Sequence, residues 1–278
     1  MTVRAALAAA ALALTSAVQA APEYLPYFGS ANVNGDLTSE DALAVLQLRN
    51  DFLGMVKDTK NESLESIASG TSVSGLGLFG GAATILPPAS GTVTNVTDSG
   101  DGPLGRYNTT PDCVVGTGCN FIETAVSFTL AFGGDYSAFA FFGTDFSDFD
   151  GAVFIELLER DVAGNLVGVA GTKVQISGPT GSEALVTNEG GGDGSLLHFG
   201  FIDKARSYAG VSFSILQSAT DPLNYDFLGF DDLALANYDA GTVTPPPTGV
   251  PEPGTLALAA LSLAGLAASR RKARTPQA

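Results

Sequence analysis

The chain has 278 residues, with 13 Lys and Arg against 29 Asp and Glu and a net charge of −16. Five of the 13 basic residues and one of the 29 acidic ones lie in the two ends, so the body carries 28 acidic against 8 basic groups, a net charge of about −20. That balance excludes nucleic acid as a partner, because phosphates need Lys and Arg, and it repels anionic lipid. It keeps the body soluble and suits it to collecting divalent cations. With 34 glycines and only 15% charged residues, the composition fits many short strands and tight turns.

Met1 to Ala20 reads as a secretory signal peptide. Arg4 supplies the positive start, Ala5 to Val18 is a small-apolar run, and Val18-Gln19-Ala20 offers small residues before a cut. The mature body then works outside the cytoplasm, and a body of this size can bury one core as a single domain. Residues 21–71 read as an irregular and helical segment. Asn32 to Asp41 has the flavour of a calcium loop, but its first ligand position is Asn and the loop is too short. The better reading is a helix start, with Thr38 or Ser39 as cap and Glu40 and Asp41 in the first turn. Ala42, Val45, Leu46, Phe52 and Leu53 follow at helical spacing.

Residues 72–236 read as a β-sandwich domain. Val126, Phe128, Leu130 and Phe132 alternate with smaller or polar residues, as do Val211, Phe213 and Ile215. Tyr136 to Phe142 is apolar nearly throughout and reads as a central strand. Asp161-Val-Ala-Gly-Asn165 is a turn signal between Ala152–Arg160 and Leu166–Ile176. Ser195 to Ile202 and Tyr225 to Leu235 complete the set. Strands with no helices between them give two packed antiparallel sheets. The fold class is therefore mainly β: a jelly-roll-like antiparallel β-sandwich with a short N-terminal helical segment.

Little in this body carries catalysis. A Ser-His-Asp triad would depend on His198, the one histidine, which sits in a strand pattern. No G-x-S-x-G elbow is present, and Gly190 to Gly194 lacks the Lys and the helix of a phosphate loop. The body is read as no enzyme. Cys113 and Cys119 are the two cysteines; in an exported chain they can pair, and so small a loop adds at most about 3 kcal/mol. A metal pair would lack further ligands. The best metal candidate is Asp145, Asp148 and Asp150 before Gly151, carboxylates that could hold Ca2+ with help from Asp231 and Asp232. Against this, such acids also cap strand ends and accept turn hydrogen bonds. No other cofactor is expected.

Residues 237–249, with Pro245-Pro246-Pro247, form a polar stalk. Residues 250–278 then hold three pieces in order. Val250-Pro251-Glu252-Pro253 is stiff and extended, because its prolines bar a helix from starting there. Gly254 to Ser269 is an uncharged apolar run, and Arg270, Arg271, Lys272 and Arg274 form a basic stop. An apolar helix with basic residues at one end enters a bilayer with that end in the cytoplasm. At 1.5 Å per residue the run spans about 24 Å, short of the ~30 Å hydrocarbon core, which suits a temporary transmembrane anchor.

This tail resembles the PEP-CTERM sorting signal of bacterial proteins handled by an exosortase. The resemblance implies a processing enzyme as partner, delivery to the cell surface or the extracellular matrix, and possible association with extracellular polysaccharide. Four phrases in the body, Gly105–Thr110, Phe142–Phe149, Phe199–Asp203 and Phe227–Asp232, resemble those of one group of exosortase-dependent surface proteins. That group implies an exported all-β domain, structural or adhesive in role. The alternative is a carbohydrate-binding module, or behind it a glycoside hydrolase with two facing acids. The first would show an exposed row of rings.

Overall fold

The apolar alternation of the sequence becomes two facing sheets in the computed structural model. It describes residues 22–23, 27–33, 36–95, 105–110, 119–147, 149, 151–179, 182–188, 194–217 and 226–241. By its contacts the chain divides into two units, Met1–Ala240 and Gly241–Ala278, and of the second only Gly241 is described. The signal segment, most of the stalk and the whole tail lie outside the described residues. Among those described, no helix is long and apolar enough to cross a membrane.

The elements in chain order are β1 (Gly29–Asn32), α1 (Glu40–Leu53), β2 (Val56–Glu62), β3 (Gly77–Leu78), β4 (Ala83–Ile85), β5 (Thr92–Thr94), β6 (Phe121–Thr124), β7 (Phe128–Tyr136), β8 (Ala138–Thr144), β9 (Ala152–Arg160), β10 (Leu166–Gly168), β11 (Val174–Pro179), β12 (Val186–Asn188), β13 (Ser195–Ile202), β14 (Tyr208–Leu216) and β15 (Leu228–Tyr238). The front sheet runs β1-β13-β8-β15-β6-β5, with β2 also on β15. The back sheet runs β12-β11-β9-β14-β7-β4-β3, with β10 also on β9. Every pair is antiparallel except β11 with β12.

On β7 and β14 the expected period of two holds. Phe128, Leu130 and Phe132 are buried, as are Val211, Phe213 and Ile215, while Thr129, Ser212 and Ser214 stay half-exposed. Val126 is half-buried and precedes the strand. Opposite them the front sheet presents Phe139, Phe141, Phe199, Phe201 and Phe230. Phe128 stacks on Phe213 at 4.5 Å, and Phe141 meets Phe213 and Phe230, each at 5.4 Å. Interlocked rings of this kind add roughly 0.5–1.5 kcal/mol per pair beyond the area they bury. The turn at Asp161 joins β9 to β10 as expected, and β11 returns to β9 further along.

Strand β8 is buried on both faces, which explains its unbroken apolar sequence. Its second face lies under α1 and the segment Gly105–Thr110. Small residues at Ala138, Ala140, Ala234 and Ala236 leave room for Phe52, and a Cβ at Gly200 would come within 3.0 Å of that ring. Phe142 packs instead with Ala42, Val45 and Tyr107. The helix begins where expected: Ser39 is its cap, accepting from the Ala42 amide at 3.2 Å.

Residues 21–71 also give the front sheet β1 and β2. The second, Val-Lys-Asp-Thr-Lys-Asn-Glu, has no apolar alternation because both its faces are largely wet. It lies on β15 from Leu233 to Tyr238, while β6 takes Leu228 to Phe230 of the same edge. Between them β15 bulges: its pairing with β8 shifts between Asp231 and Ala234, and Asp232 adopts φ 46°. A bulge re-aims side chains. Here it turns two adjacent carboxylates toward the segment Gly105–Thr110.

Candidate functional site

The gap between β2 and β6 is filled by Gly105–Thr110, a strap without regular structure. A buried irregular segment must satisfy its polar groups by side chains, and this one does so with nearly every residue. Arg106, 2% exposed, donates from Nε to Glu123 at 2.9 Å and from a terminal nitrogen to Asp145 at 3.1 Å. Its guanidinium also lies 5.4 Å from the Phe227 ring. Tyr107 reaches the Gly194 carbonyl at 3.1 Å, and burial raises its hydroxyl above the usual phenol range. Asn108 donates to the Asn120 carbonyl at 2.7 Å and to Glu65 at 2.9 Å.

Thr109 makes the tightest contact. Its amide and hydroxyl both donate to Oδ2 of Asp231, at 2.6 and 3.0 Å. Oδ1 of Asp231 accepts from the Asp232 amide at 2.7 Å. Burial, and next the neighbouring Asp232 charge, push the Asp231 carboxyl well above the usual carboxylate range, against those hydrogen bonds. Asp232 in turn pairs with Arg49 of α1 at 3.0 Å. The helix, the strap and the bulge are thus tied through one ion pair and a run of hydrogen bonds.

His198 lies on the same face. Its Nδ1 is 2.8 Å from the Tyr27 carbonyl, so the ring holds its proton there and presents neutral Nε2 to the interior. Its ring packs on Phe142 at 5.0 Å and Phe52 at 6.3 Å. Burial lowers its pKa from 6.5 to about 4, with the Arg49 charge helping. It is a packed strand residue, as its sequence pattern indicated.

Three of the four body phrases therefore meet. Gly105–Thr110 binds the end of β8 through Asp145 and the bulge of β15 through Asp231. The fourth closes a turn of its own: Asp203 accepts from the Ala205 and Arg206 amides and from the Tyr208 hydroxyl. Asp145 was expected among calcium ligands. It is 2% exposed, adopts φ 70° and is bound by Arg106. Asp148 and Asp150 lie outside the described residues, as does Cys113; Cys119 is described, immediately before Asn120. Asp231 and Asp232, expected as helpers for a metal, are engaged by Thr109 and Arg49. Among the described residues, no three His, Cys, Asp or Glu side chains gather as a metal centre requires. Sequence reasoning missed Arg49, Arg106, Glu65 and Glu123. The available signal was a basic residue inside an otherwise polar, structureless phrase.

The tail is recognised independently. A family model of the PEP-CTERM protein-sorting motif matches residues 249–272. The chain is a PEP-CTERM protein. The match covers Val250, Pro251, Glu252, Pro253, the apolar run and Arg270, Arg271 and Lys272; Arg274 follows it. The motif marks this PEP-CTERM protein for exosortase-dependent export and association with the envelope or cell surface. No curated protein matches the sequence. Among solved structures, the K2 cleaved adhesin domain of Lys-gingipain (Kgp) is similar over 64% of this chain and 98% of that one, at 12% identity and a TM-score of 0.35.

Proposed function

We propose that the protein is a structural or adhesive component of the envelope or extracellular polysaccharide matrix, and that its sandwich is not catalytic. The observation that carries this reading is the sorting motif at residues 249–272, joined to a body whose buried polar groups are spent on holding strands together. The precursor loses residues 1–20 on export. It is then held by Gly254 to Ser269 as a short transmembrane helix, with Arg270, Arg271, Lys272 and Arg274 in the cytoplasm. The exosortase cuts near Pro251-Glu252-Pro253 and frees the body. Strands β6 to β9 and β13 to β15 alternate between the sheets, which supports a jelly-roll-like path.

Glu252 is the one ionised group between Asp239 and Arg270, and it is read by the processing enzyme as a charge. Glu252→Gln should accumulate an uncut, membrane-bound precursor while export continues. Intact-mass measurement of the wild-type surface protein should find the basic tail gone. A mass that still includes Arg270 to Ala278 would sink the sorting mechanism and leave a membrane-anchored sandwich.

A further inference from the structure

One cleft of the sandwich is not consumed by the fold. It measures about 510 Å3 and is lined by Ser90, Thr92, Glu123, Ala125, Val126 and Phe227, with Gly91 at the turn. A second cleft of about 470 Å3 shares Ser90, Ala125 and Val126 with it. In the second, polar side chains are already committed: Gln217 bonds the Ala125 and Asp226 carbonyls, and Ser127 bonds the Ile215 amide and carbonyl. In the first they are not. Glu123 gives Oε2 to Arg106, and its Oε1 has no hydrogen-bond partner among the described residues. Thr92 is exposed and Phe227 half-buried.

Both distinctive walls are fixed by one buried side chain. Arg106 bonds Glu123 and lies over the Phe227 ring while anchored to Asp145. A ring and a carboxylate held in place before a ligand arrives lose little freedom on binding. The lining combines that ring, one acceptor, two hydroxyls and an apolar floor of Ala125 and Val126, the mix that fixes a small ligand by orientation. Among the described lining residues there is no Lys or Arg, and the chain's charge is −16. Anionic ligands, phosphates and uronates alike, are repelled. A pyranose fits: its C–H face lies on a ring and its hydroxyls donate to a carboxylate. Hydrolysis would need a second facing acid, and the described lining has Glu123 alone.

We propose that this cleft binds a neutral saccharide unit of an extracellular polysaccharide. The proposal rests on the matrix reading for where that polymer is met, but its test is separate, because sorting is read in cells and binding on purified protein. The full-length protein, in a detergent without a sugar headgroup, is run in native gels containing hydroxyethylcellulose, dextran or alginate. At least one neutral polymer should slow it, and alginate should not. Phe227→Ala and Thr92→Arg should each weaken retention about tenfold, on the scale of one lost stacking contact. Thr92→Arg alters an exposed position and so spares the fold. Leu86→Ala, in the shallow groove on the back sheet, should leave retention unchanged. Mobility unaffected by both neutral polymers, equal or stronger retention by alginate, or full retention in both cleft variants would each overturn the assignment.

Discussion

Arg106→Met tests the polar layer most directly, because methionine keeps much of the side chain's length and removes its charge. Arg106 and Asp145 are each 2% exposed and 3.1 Å apart, whereas the Glu123 side chain is 22% exposed. Glu123 can turn to water when its partner goes; Asp145 cannot. Breaking a buried pair by removing one member costs about 3–5 kcal/mol, since the other charge stays buried. At about 2–4 °C per kcal/mol for a domain of this size, the melting temperature should fall by about 10 °C. Urea unfolding of wild type, Arg106→Met, Asp145→Asn and the double variant gives the cycle. The double variant should be more stable than the sum of the single losses implies, because it no longer leaves the buried Asp145 charge without Arg106, while Glu123 can turn to water. A loss below about 1 kcal/mol in Arg106→Met would refute the reasoning, since such values belong to exposed pairs.

Three further outcomes are expected. The single histidine gives one unambiguous NMR titration, and its midpoint should lie near pH 4; because the folded value is depressed, His198 favours the fold fully above pH 6.5, and about 3 kcal/mol is lost as pH falls from 6.5 toward 4. A His198 midpoint near 6.5 would contradict its burial. Asp231 has the opposite sign: its folded pKa is raised, so its contribution falls as pH rises above the unfolded value near 3.8. Asp231→Asn should therefore compare worst with wild type near pH 4 and best at pH 7 in urea midpoints, and a gap independent of pH would count against it. Finally, Cys113 and Cys119 are proposed to be bridged, so mass spectrometry of exported protein should show no free thiol, and two free thiols would end that pairing.

The sandwich was legible wherever one face is dry and the other wet. Phe128, Leu130 and Phe132, or Val211, Phe213 and Ile215, announce a strand because their neighbours Thr129, Ser212 and Ser214 need no burial. Strand β8 was legible for the opposite reason, an apolar run that only two covered faces permit. Strand β2 was hidden: Lys57, Asp58, Lys60 and Asn61 carry no apolar rhythm, and the strand exists because β15 offers it hydrogen bonds. The strap was hidden in the same way. No local rule says that Arg106, Asn108 and Thr109 are buried; their partners Asp145, Glu65 and Asp231 lie 39, 43 and 122 residues away. Such distances are set by topology, and a reading of local periodicity does not reach them. The sorting tail, by contrast, is read in order along the chain and needs no tertiary partner.

Strand β15 is the last of the described strands, yet it lies in the middle of the front sheet, touching β8 on one side and β2 and β6 on the other. If export starts from the N-terminus, as proposed, this ordering acts as a timer. Residues 29 to 216 can emerge and collapse, but β2 and β6 have no neighbour to join them to β8 until residues 228–238 have crossed. Contacts between the earliest and latest segments are slow to form, so the front sheet stays incomplete until that last strand has crossed. When the keystone arrives, the proline motif stands only a dozen or so residues behind it, about 40 Å at full stretch. On the proposed anchoring of the tail, the front sheet would be completed beside the membrane, within reach of the enzyme proposed to release the body.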